Sequence, residues 1–466
     1  MASLHVGDTR AAEGIVDDAA MQRLREHVRG TVIQPADDGY DDARKIWNGM
    51  IDRRPAVIVR CAGVSDVIDA VNFARAHDLR IAVRGGSHSA AGHAMCDGGL
   101  AIDLCGLKGV RVDTQARTAQ AQGGLLWKDL DHETQALGLA TTGGTVSNTG
   151  VGGLTLGGGL GWLMGKHGFA CDNLLSADVV TADGTLITAN ADEHPDLFWA
   201  LKGGGGNFGI VTSFEFRLHP VGPLVLGGMV LHPRTAARDV LRFYRDYCRT
   251  LPDEAEAWAA LLTSPDGDPL IALLLGYNGD LDEGERVLAP ARQFGSPIAD
   301  LVGAIPYVQR QTLIDDLGVH GIHRYWKSGF MPELGDDAID LMVERAETMT
   351  SPMSVVGIFH VHGAAARVDP TATAFGLRGE QWDFDIISQW TDPSLADEQV
   401  RWTRSFWSEV EPFATGGVYV NHIAADEPGR VHAAFGANYD RLLAVKRQYD
   451  PNNVFRLNHN IDPSGS

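Results

Sequence analysis

The sequence predicts an α+β fold with two domains, and three observations support this prediction. A chain of 466 residues is longer than one hydrophobic core usually serves. Strand-like and helix-like segments alternate as far as Leu218, and Pro220 then interrupts the pattern. Beyond that point strand-like segments come in longer pairs with helices between them, which is typical of an antiparallel sheet covered by helices. We therefore assign residues 1–219 to a first domain and residues 220–414 to a second.

The first domain contains a strand, a helix and a strand in close succession. Ala56–Arg60 is a β-branched run, Ser65–His77 has helical spacing, and Arg80–Arg84 is apolar again. This order predicts a βαβ unit with a right-handed crossover. Leu125–Leu137 predicts an amphipathic helix, and the turn at Ala182-Asp183-Gly184 predicts a hairpin. The other predicted strands are Leu100–Leu104, Val110–Asp113, Thr118–Ala121, Asp178–Thr181, Thr185–Thr188 and Ile210–Leu218.

The second domain is predicted to hold an antiparallel sheet and its covering helices. Helical spacing covers Ala236–Leu251 and Asp337–Thr350 in this part of the chain. The last fifty residues revert to a helix over Val431–Gln448 and a Pro/Asn-rich ending. The predicted strands are Leu224–Leu231, Ala257–Leu262, Leu270–Tyr277, Ser354–His362 and Asp383–Trp390.

Charge, cysteine usage and apolar segments argue against several classes of protein. The net charge of -21, without a basic cluster, would repel nucleic acid and anionic membranes. The five cysteines include no CxxC pair, which argues against a disulfide framework, an iron–sulfur cluster and structural zinc. No apolar run reaches ~18 residues, so we expect no membrane span. The N-terminal segment lacks the pattern of a secretory signal, and we expect a cytoplasmic protein.

Three glycine-rich segments indicate a large ligand. They are Arg84–Ser89, Gly150–Gly161 and Gly203–Gly209. The third holds a GxGxxG string, but it follows a helix-like segment and precedes a strand, whereas a Rossmann site needs the reverse order. No P-loop string is present. Each segment alone is consistent with tight turns, but together their backbone amides favour a nucleotide cofactor such as FAD.

The same segments resemble a known family of flavoproteins. Residues 55–218 resemble the PCMH-type FAD-binding domain of the vanillyl-alcohol oxidase superfamily, through VRGGSHSAAGHAMCDGGLAIDL, GVGGLTLGGGLG and LFWALKGGGGNFGIVT. The tail resembles the C-terminal segment of its berberine bridge enzyme-like branch, through YVN and YDPNNVFRLNHNI. The resemblance implies a PCMH-type FAD-binding domain, a substrate domain with an antiparallel sheet covered by helices, and a segment, residues 415–466, that returns to the first domain.

The resemblance implies that FAD is covalently attached through His88. In the family, a histidine that follows an arginine and two glycines bonds to the 8α-methyl carbon of the flavin. A neutral imidazole is a competent nucleophile, although a turn-capping role for His88 is the alternative. Many members add a thioether from a cysteine, but Val146 occupies that position here. We therefore expect a single covalent link.

The same motifs imply a wider set of contacts with FAD. Leu160 replaces a tyrosine that assists catalysis in some members, and His459 stands where glutamine is frequent. The expected cofactor-binding residues are Arg84, Gly85, Gly86, Ser87, His88, Ser89, Gly92, Val146, Gly150, Gly153, Gly157, Gly158, Gly159, Leu160, Gly161, Gly209, Ile210, Val211, Tyr419, Asn421, Asn458 and His459.

Tyr419 and Asn421 are the expected catalytic residues, because the family commonly takes its base from a YxN motif. A strand would place both side chains on one face. A tyrosine titrates near ~10, so ionisation at neutral pH needs a nearby cation or hydrogen-bond donors. Lys327 is the expected cation. The alternative is that Tyr419 is a buried strand residue whose hydroxyl is satisfied.

His360 and His362 form the strongest candidate for a metal site in the sequence. They are two residues apart on a predicted strand, but no third ligand has a familiar spacing, so we expect no metal. We expect the two imidazoles to line the substrate cavity with Gln389 and Trp390 of a neighbouring strand. A purely structural role for them remains open.

These expectations describe an FAD-dependent enzyme that oxidises an alcohol, sugar or amine carbon by hydride transfer to the flavin. Oxygen or another acceptor would reoxidise the flavin, and Thr149, near its reactive face in this family, does not decide between them. One alternative is oxidative cyclisation or desaturation of a specialised metabolite. Another is a member that binds flavin without turnover. The expected partner is a small molecule, with no nucleic acid or membrane, and the sequence indicates no particular oligomeric state.

Overall fold

A computed structural model describes residues 17–465 and begins with a small mixed sheet. Its strands, in spatial order, are Thr31–Ile33, Val57–Arg60, Leu100–Asp103 and Ile81–Arg84, and the last three are parallel. The helix Val64–Ala76 makes the crossover between two of them, and Asp18–His27 packs beside it. The β-branched run Val57-Ile58-Val59 is buried on both faces of the sheet, as expected for parallel strands. The predicted βαβ unit is present, with Leu100–Asp103 inserted between its strands.

A second, five-stranded antiparallel sheet completes the first domain. Two helices, Trp127–Gln135 and Pro195–Leu201, contribute to its core. Gly184, with φ of +83°, closes the predicted hairpin. The strands in spatial order are Val110–Asp113, Thr118–Gln122, Ile210–Arg217, Leu174–Val180 and Leu186–Asn190, and a separate ladder joins Leu139–Ala140 to His219–Pro220.

A large antiparallel sheet forms the second domain. Four helices cover one face: Ala237–Cys248, Leu281–Gln293, Asp336–Ala346 and Ala396–Val410. The strands in spatial order are Ala299–Asp300, Leu224–Pro233, Pro269–Tyr277, Ala255–Thr263, Val355–Val361, Gln381–Trp390 and His323–Met331, and Gly303–Pro306 also pairs with the second of these. The α+β class predicted from the sequence is confirmed.

The C-terminal segment packs against the first domain. The predicted helix Val431–Gln448 is instead two helices, Val431–Phe435 and Tyr439–Tyr449, because Gly436 between them has φ of +50°. Buried Lys446 ties this segment to the third glycine segment, since its Nζ donates to the carbonyl of Asn207 at 2.8 Å and to Asp450 Oδ2 at 2.7 Å. The C-terminal segment therefore contributes to the same core as the five-stranded sheet of the first domain.

Short elements complete the described chain. No helix in residues 17–465 combines the length and apolar character needed to cross a membrane. The expectation about a secretory signal concerns the N-terminal segment, which lies almost wholly outside the described residues. The remaining helices are Tyr40–Ala43, Val151–Leu156, Met164–His167, Tyr307–Gln311 and Gly363–Arg367, with single 3₁₀ turns at Ala170–Asn173, Arg234–Ala236, Asp315–Gly318, Pro393–Leu395, Glu411–Phe413, Val420–His422, Pro428–Arg430 and Gly436–Asn438.

Candidate active site

A cavity of about 410 Å³ lies between the first domain and the uncovered face of the large sheet. All three glycine-rich segments and the C-terminal segment line one side of it. The strands Gln381–Trp390 and Ala255–Thr263 contribute side chains to the other side. A long cleft with glycine backbone on one wall and side chains on the other suits a ligand with both a diphosphate and a flat ring.

Two of the glycine segments pack backbone against backbone. A Cβ atom on Gly86 would lie 2.3 Å from the amide nitrogen of Gly150, and one on Gly150 would lie 2.4 Å from the amide nitrogen of Gly86. Ser87, the next residue, has φ of +60°, a left-handed conformation that non-glycine residues seldom adopt. The glycines are therefore required for close approach of two loops that both line the cavity.

The ring of His88 faces this cavity in a defined orientation. It stacks on Trp47, with ring centroids 4.9 Å apart and planes at 19°, and meets His320 edge-on at 5.3 Å. Burial lowers the pKa of His88 to about 3, and the charges of His320 and Arg324 add to the effect. Its Nε2 atom is buried without a hydrogen-bond partner among the residues described. The imidazole is therefore neutral at physiological pH, as a nucleophile must be.

Most of the expected cofactor-binding residues line the cavity. Asn458 is held there because its Nδ2 donates to the carbonyl of Gly206 at 3.0 Å. His459 meets His93 edge-on, and burial lowers the pKa of both rings. The residues found in the lining are Gly85, Gly86, Ser87, His88, Ser89, Val146, Gly150, Gly153, Leu160, Gly209, Ile210, Val211, Tyr419, Asn421, Asn458 and His459.

Six expected cofactor contacts do not line the cavity, and each has another packing role. The guanidinium of Arg84 donates to the carbonyl of Ala43. A Cβ on Gly92 would meet Ile51 at 2.8 Å, and one on Gly161 would meet the carbonyl of Gly143 at 1.8 Å. The others are Gly157, Gly158 and Gly159, which adjoin Asn421, Phe375 and Ala170 respectively. These residues support the cavity wall behind its surface.

Tyr419 and Asn421 lie in the cavity wall, but the prediction that they share a strand is wrong. Asn421 belongs to the 3₁₀ turn Val420–His422, and Tyr419 immediately precedes that turn. The hydroxyl oxygen of Tyr419 accepts hydrogen bonds from Asn421 Nδ2 at 2.7 Å and from the amide of Gly159 at 2.9 Å. Burial raises the pKa of Tyr419 despite these donors, so the phenol is protonated at neutral pH.

Lys327 does not supply the expected cation beside Tyr419. Its ammonium group pairs with Glu427 Oε1 at 3.0 Å and with Asp426 Oδ1 at 3.4 Å. Because both carboxylates lie beyond the 3₁₀ turn, Lys327 anchors the C-terminal segment to the large sheet. The prediction that Lys327 lowers the pKa of Tyr419 is therefore wrong.

Three ionisable residues that the sequence did not single out lie together at the cavity. His422 Nδ1 is 3.0 Å from Asp385 Oδ1 and 3.8 Å from Asp383 Oδ2. Trp326 donates its indole N–H to Asp385 Oδ1 at 2.8 Å and stacks on His422. We call Asp383, Asp385 and His422 the acidic cluster. The alternation of Asp383–Trp390 could have revealed it, because Asp383 and Asp385 share a face with Gln389.

The acidic cluster has strongly perturbed protonation. Burial and then the Asp385 carboxylate raise the pKa of Asp383 well above its ordinary value. Burial lowers the pKa of His422, but the carboxylates of Asp385 and Asp383 outweigh this effect and raise it overall. Groups whose pKa values are perturbed by burial and by neighbouring charges at a cavity are typical of sites that move protons.

His360 and His362 do not line the cavity, contrary to our expectation. His360 is hydrogen-bonded to Glu380 at 3.0 Å and packs at an angle of 32° against the ring of Trp382. His362 lies 3.8 Å from the buried carboxylate of Glu256. Their rings are parallel, with centroids 5.1 Å apart, so they pack as a pair at the end of the sheet. Of their two expected neighbours, Gln389 lines the cavity and Trp390 is buried elsewhere.

Comparison with known proteins identifies the cofactor domain. A family profile described as an FAD binding domain matches residues 55–190, and a second, described as berberine and berberine like, matches residues 418–462. Two of the three glycine segments that line the cavity, and the His88 nitrogen that has no partner among the described residues, fall within the first match. The residues present therefore fit an FAD molecule.

Relatives cover nearly the whole chain. An FAD-linked oxidoreductase of Dictyostelium discoideum is 31% identical over 94% of this chain and 96% of its own length. The (R)-6-hydroxynicotine oxidase of Paenarthrobacter nicotinovorans is 30% identical over 94% of this chain and 98% of its own length.

Solved structures agree in fold. A crystal structure of 6-hydroxy-D-nicotine oxidase from Arthrobacter nicotinovorans superposes with a TM-score of 0.86 at 29% identity, covering 94% of this chain and 98% of that one. BBE-like 1 of Physcomitrella patens gives a TM-score of 0.85 at 25% identity, covering 93% and 97%. The predicted resemblance and its PCMH-type fold are confirmed. The chain belongs to the berberine bridge enzyme-like family of FAD-linked oxidoreductases.

Proposed function

We propose that this enzyme carries FAD through a single covalent bond to His88 and oxidises an alcohol, sugar or amine carbon of a small molecule. The observation that supports this proposal best is the neutral imidazole of His88 at the cavity wall, whose Nε2 atom has no hydrogen-bond partner within residues 17–465. Val146 lines the same cavity and has no nucleophilic atom, which supports one bond and not two. FAD, once bound, supplies the two-electron acceptor that no side chain provides.

The protein side chains would bind the substrate and receive its proton. The Tyr419 oxygen already accepts two hydrogen bonds, so its own hydrogen is free to donate to a substrate oxygen or nitrogen. A protonated phenol is a poor base, so we assign Tyr419 to orientation. The acidic cluster is the proton acceptor that we propose, because Asp385 accepts from Trp326 and is paired with His422. Of the three residues, His422 is the most exposed to the cavity, with 16% of its side chain accessible.

The cavity walls exclude water from the reacting carbon. Trp258, Phe359 and Ile387 project from the large sheet, and Leu160 lies among the glycine segments. A low-dielectric site strengthens each hydrogen bond to the substrate and protects a reduced cofactor from side reactions. We propose oxygen as the final electron acceptor, since a relative that matches nearly the whole chain bears the name (R)-6-hydroxynicotine oxidase.

The covalent link can be tested by acid precipitation of the purified protein. We expect the pellet of the native enzyme to stay yellow and to fluoresce as a protein band after denaturing electrophoresis. His88→Ala should release its flavin into the supernatant, whereas His132→Ala, at an exposed histidine, should behave as the native enzyme does. A native pellet without flavin would contradict the covalent proposal.

The reaction class can be tested by anaerobic mixing with panels of alcohols, sugars and amines. Bleaching of the flavin, followed by recovery on admission of air, is the expected result for an oxidase. Bleaching without recovery in air would contradict oxygen as the acceptor. A flavin that no member of any panel bleaches would favour a binding protein without turnover.

A further inference from the structure

Trp47 lies between the imidazole of His88 and the guanidinium of Arg324. The guanidinium carbon of Arg324 is 4.0 Å from the centroid of the Trp47 ring, and His88 stacks on the same indole at 4.9 Å. The indole N–H donates to the carbonyl of Gly318 at 3.0 Å, and the backbone amide donates to the carbonyl of Ser87 at 3.2 Å. The position of Trp47 is therefore fixed by packing on its ring and by hydrogen bonds from its indole N–H and its backbone amide. We call Arg324, Trp47 and His88 the histidine stack.

The guanidinium group of Arg324 is held in place by hydrogen bonds from each of its nitrogen atoms. Its five N–H groups meet five oxygen acceptors, and its exposed fraction is 3%. Among residues 17–465, no carboxylate pairs with it, so its charge stays directed at the face of Trp47. The acceptors are Gln389 Oε1 and the carbonyls of Trp47, Ile322, Leu317 and Val319, at 2.7 to 3.4 Å.

We propose that Trp47 and Arg324 are positioning residues for covalent attachment of FAD, and that they hold the His88 ring in the single plane from which it bonds to the cofactor. This inference rests on the proposed function, because it concerns how the His88 bond forms. A histidine ring rotates broadly about its outer side-chain torsion when nothing packs against it. The stack removes that freedom before FAD arrives, and such pre-orientation accelerates bond formation.

The charge of Arg324 acts in the same direction as the packing. Burial is the main reason that the pKa of His88 falls to about 3, and the charges of His320 and then Arg324 lower it further, because a nearby cation disfavours a second cation on the imidazole. Asn148 is the neighbouring group that opposes this shift through hydrogen bonding. A protonated imidazole would have no lone pair for the new bond.

Attachment of FAD to His88 needs no reactant beyond FAD and the oxygen that we propose as electron acceptor. One N–H bond of His88 and one C–H bond of the 8α-methyl group are replaced by an N–C bond. Two protons pass to solvent, and the two electrons stay on FAD until molecular oxygen accepts them. The positioning residues take no part in these bonds, so their removal should slow attachment without preventing FAD from binding.

Four variants of the full-length protein distinguish the effect of packing against His88 from the effect of the Arg324 charge. Trp47→Phe keeps an aromatic ring between Arg324 and His88, whereas Trp47→Leu removes the stacking surface. Arg324→Lys keeps a charge but cannot reach five acceptors, and Arg324→Met removes the charge as well. The protein is expressed under riboflavin limitation, and FAD is then added to it. Two quantities are measured as a function of time after this addition: the total FAD bound per protein, and the fraction of that FAD that stays with the protein after acid precipitation.

We expect Trp47→Phe to retain most of the covalent fraction, and Trp47→Leu and Arg324→Met to attach FAD at least about tenfold more slowly while still binding it. Arg324→Lys should lie between these limits. Equal attachment rates for Trp47→Leu and the native enzyme would overturn the inference. If Trp47→Leu does not fold, equal rates for Arg324→Met and the native enzyme overturn it instead. Native protein without covalent flavin would overturn the proposed function itself, which is a different result.

Discussion

His422 Nδ1 lies 3.0 Å from Asp385 Oδ1, within a cluster that also includes the fully buried carboxyl of Asp383. Neither oxygen of Asp383 accepts a hydrogen bond in the described part of the chain. Burial raises the pKa of Asp383, and the two neighbouring carboxylates raise the pKa of His422 although burial opposes them. The relationship between His422 and Asp385 therefore links the C-terminal segment to the substrate face of the large sheet.

Replacement of Asp385 by asparagine should slow substrate oxidation without releasing the flavin. Asparagine keeps the shape and still accepts from Trp326, but it cannot pair with the His422 imidazolium or take a proton. We expect the rate of anaerobic flavin reduction to fall about 100-fold, the usual range for loss of a general base. Stopped-flow absorbance at the flavin band measures this rate. Glu380→Gln removes a carboxyl just before the same strand, outside the cavity, and should leave the rate unchanged.

A Cβ atom at Gly157 should displace Asn421 and thereby Tyr419. The added carbon would lie 2.3 Å from Asn421 Oδ1, while the backbone at Gly157, with φ of -90°, accommodates alanine. Because Asn421 holds the Tyr419 hydroxyl, we expect Gly157→Ala to lower the rate of flavin reduction about tenfold or more and to preserve the melting temperature within a few degrees. Gly335→Ala, where a Cβ meets nothing within 4 Å, is the matched control. An unchanged reduction rate would show that Asn421 does not position the tyrosine.

The sequence predicted the elements with strong apolar periodicity and missed those whose buried groups find partners far along the chain. The predicted strand Leu270–Tyr277 is found as Pro269–Tyr277, because it is a continuous apolar run. His323–Met331 was missed, since Arg324 and Lys327 break its apolar pattern. Two of their partners, Gln389 on a neighbouring strand and Glu427 in the C-terminal segment, become neighbours only in the folded protein.

In the candidate site too, residues in a local motif were predicted, and residues brought together only by the fold were missed. His88 was predicted because its loop carries a local motif, and the covalent bond that we assign to it stays a prediction. Asp383 and Asp385 lie on one face of a predicted strand but carry no motif, and the structure adds His422, from the C-terminal segment, beside them. The two-residue spacing of Tyr419 and Asn421 is equally compatible with a strand and with a turn, and the local sequence did not distinguish them.

Lys446 should contribute strongly to the stability of the cofactor domain. Its ammonium group and the Asp450 carboxylate are both fully buried and 2.7 Å apart, and the Phe455 carbonyl accepts from Lys446 at 3.0 Å. Lys446→Met would leave a buried carboxylate without its cation, which costs about 3–5 kcal/mol. Thermal unfolding measures the loss. The double variant Lys446→Met/Asp450→Leu should recover part of it, and a double variant less stable than Lys446→Met would contradict the pairing.

Asp131 should make the stability of the protein depend on pH. Burial raises the pKa of Asp131 to about 7, against the opposing hydrogen bond from Gln311 Nε2 at 2.9 Å. An unfolded aspartate titrates near ~4, so between about pH 4 and pH 7 the folded chain holds one more proton than the unfolded chain. The stability contributed by this group is therefore complete below about pH 4 and is lost as the pH rises towards 7. Asp131→Asn removes the titrating group from the contact between the helices Trp127–Gln135 and Tyr307–Gln311.

We expect the stability of Asp131→Asn relative to the native enzyme to increase between pH 5 and pH 8, by about 1.4 kcal/mol for each pH unit over which the native carboxyl stays protonated. Urea unfolding at the two pH values gives this difference directly. Asp266→Asn, in the turn between two strands of the large sheet, removes an exposed carboxyl and should show no such trend. If the difference between Asp131→Asn and the native enzyme were constant with pH, the carboxyl would be ionised in the folded protein, and a cation or water would have to reach it between the two helices.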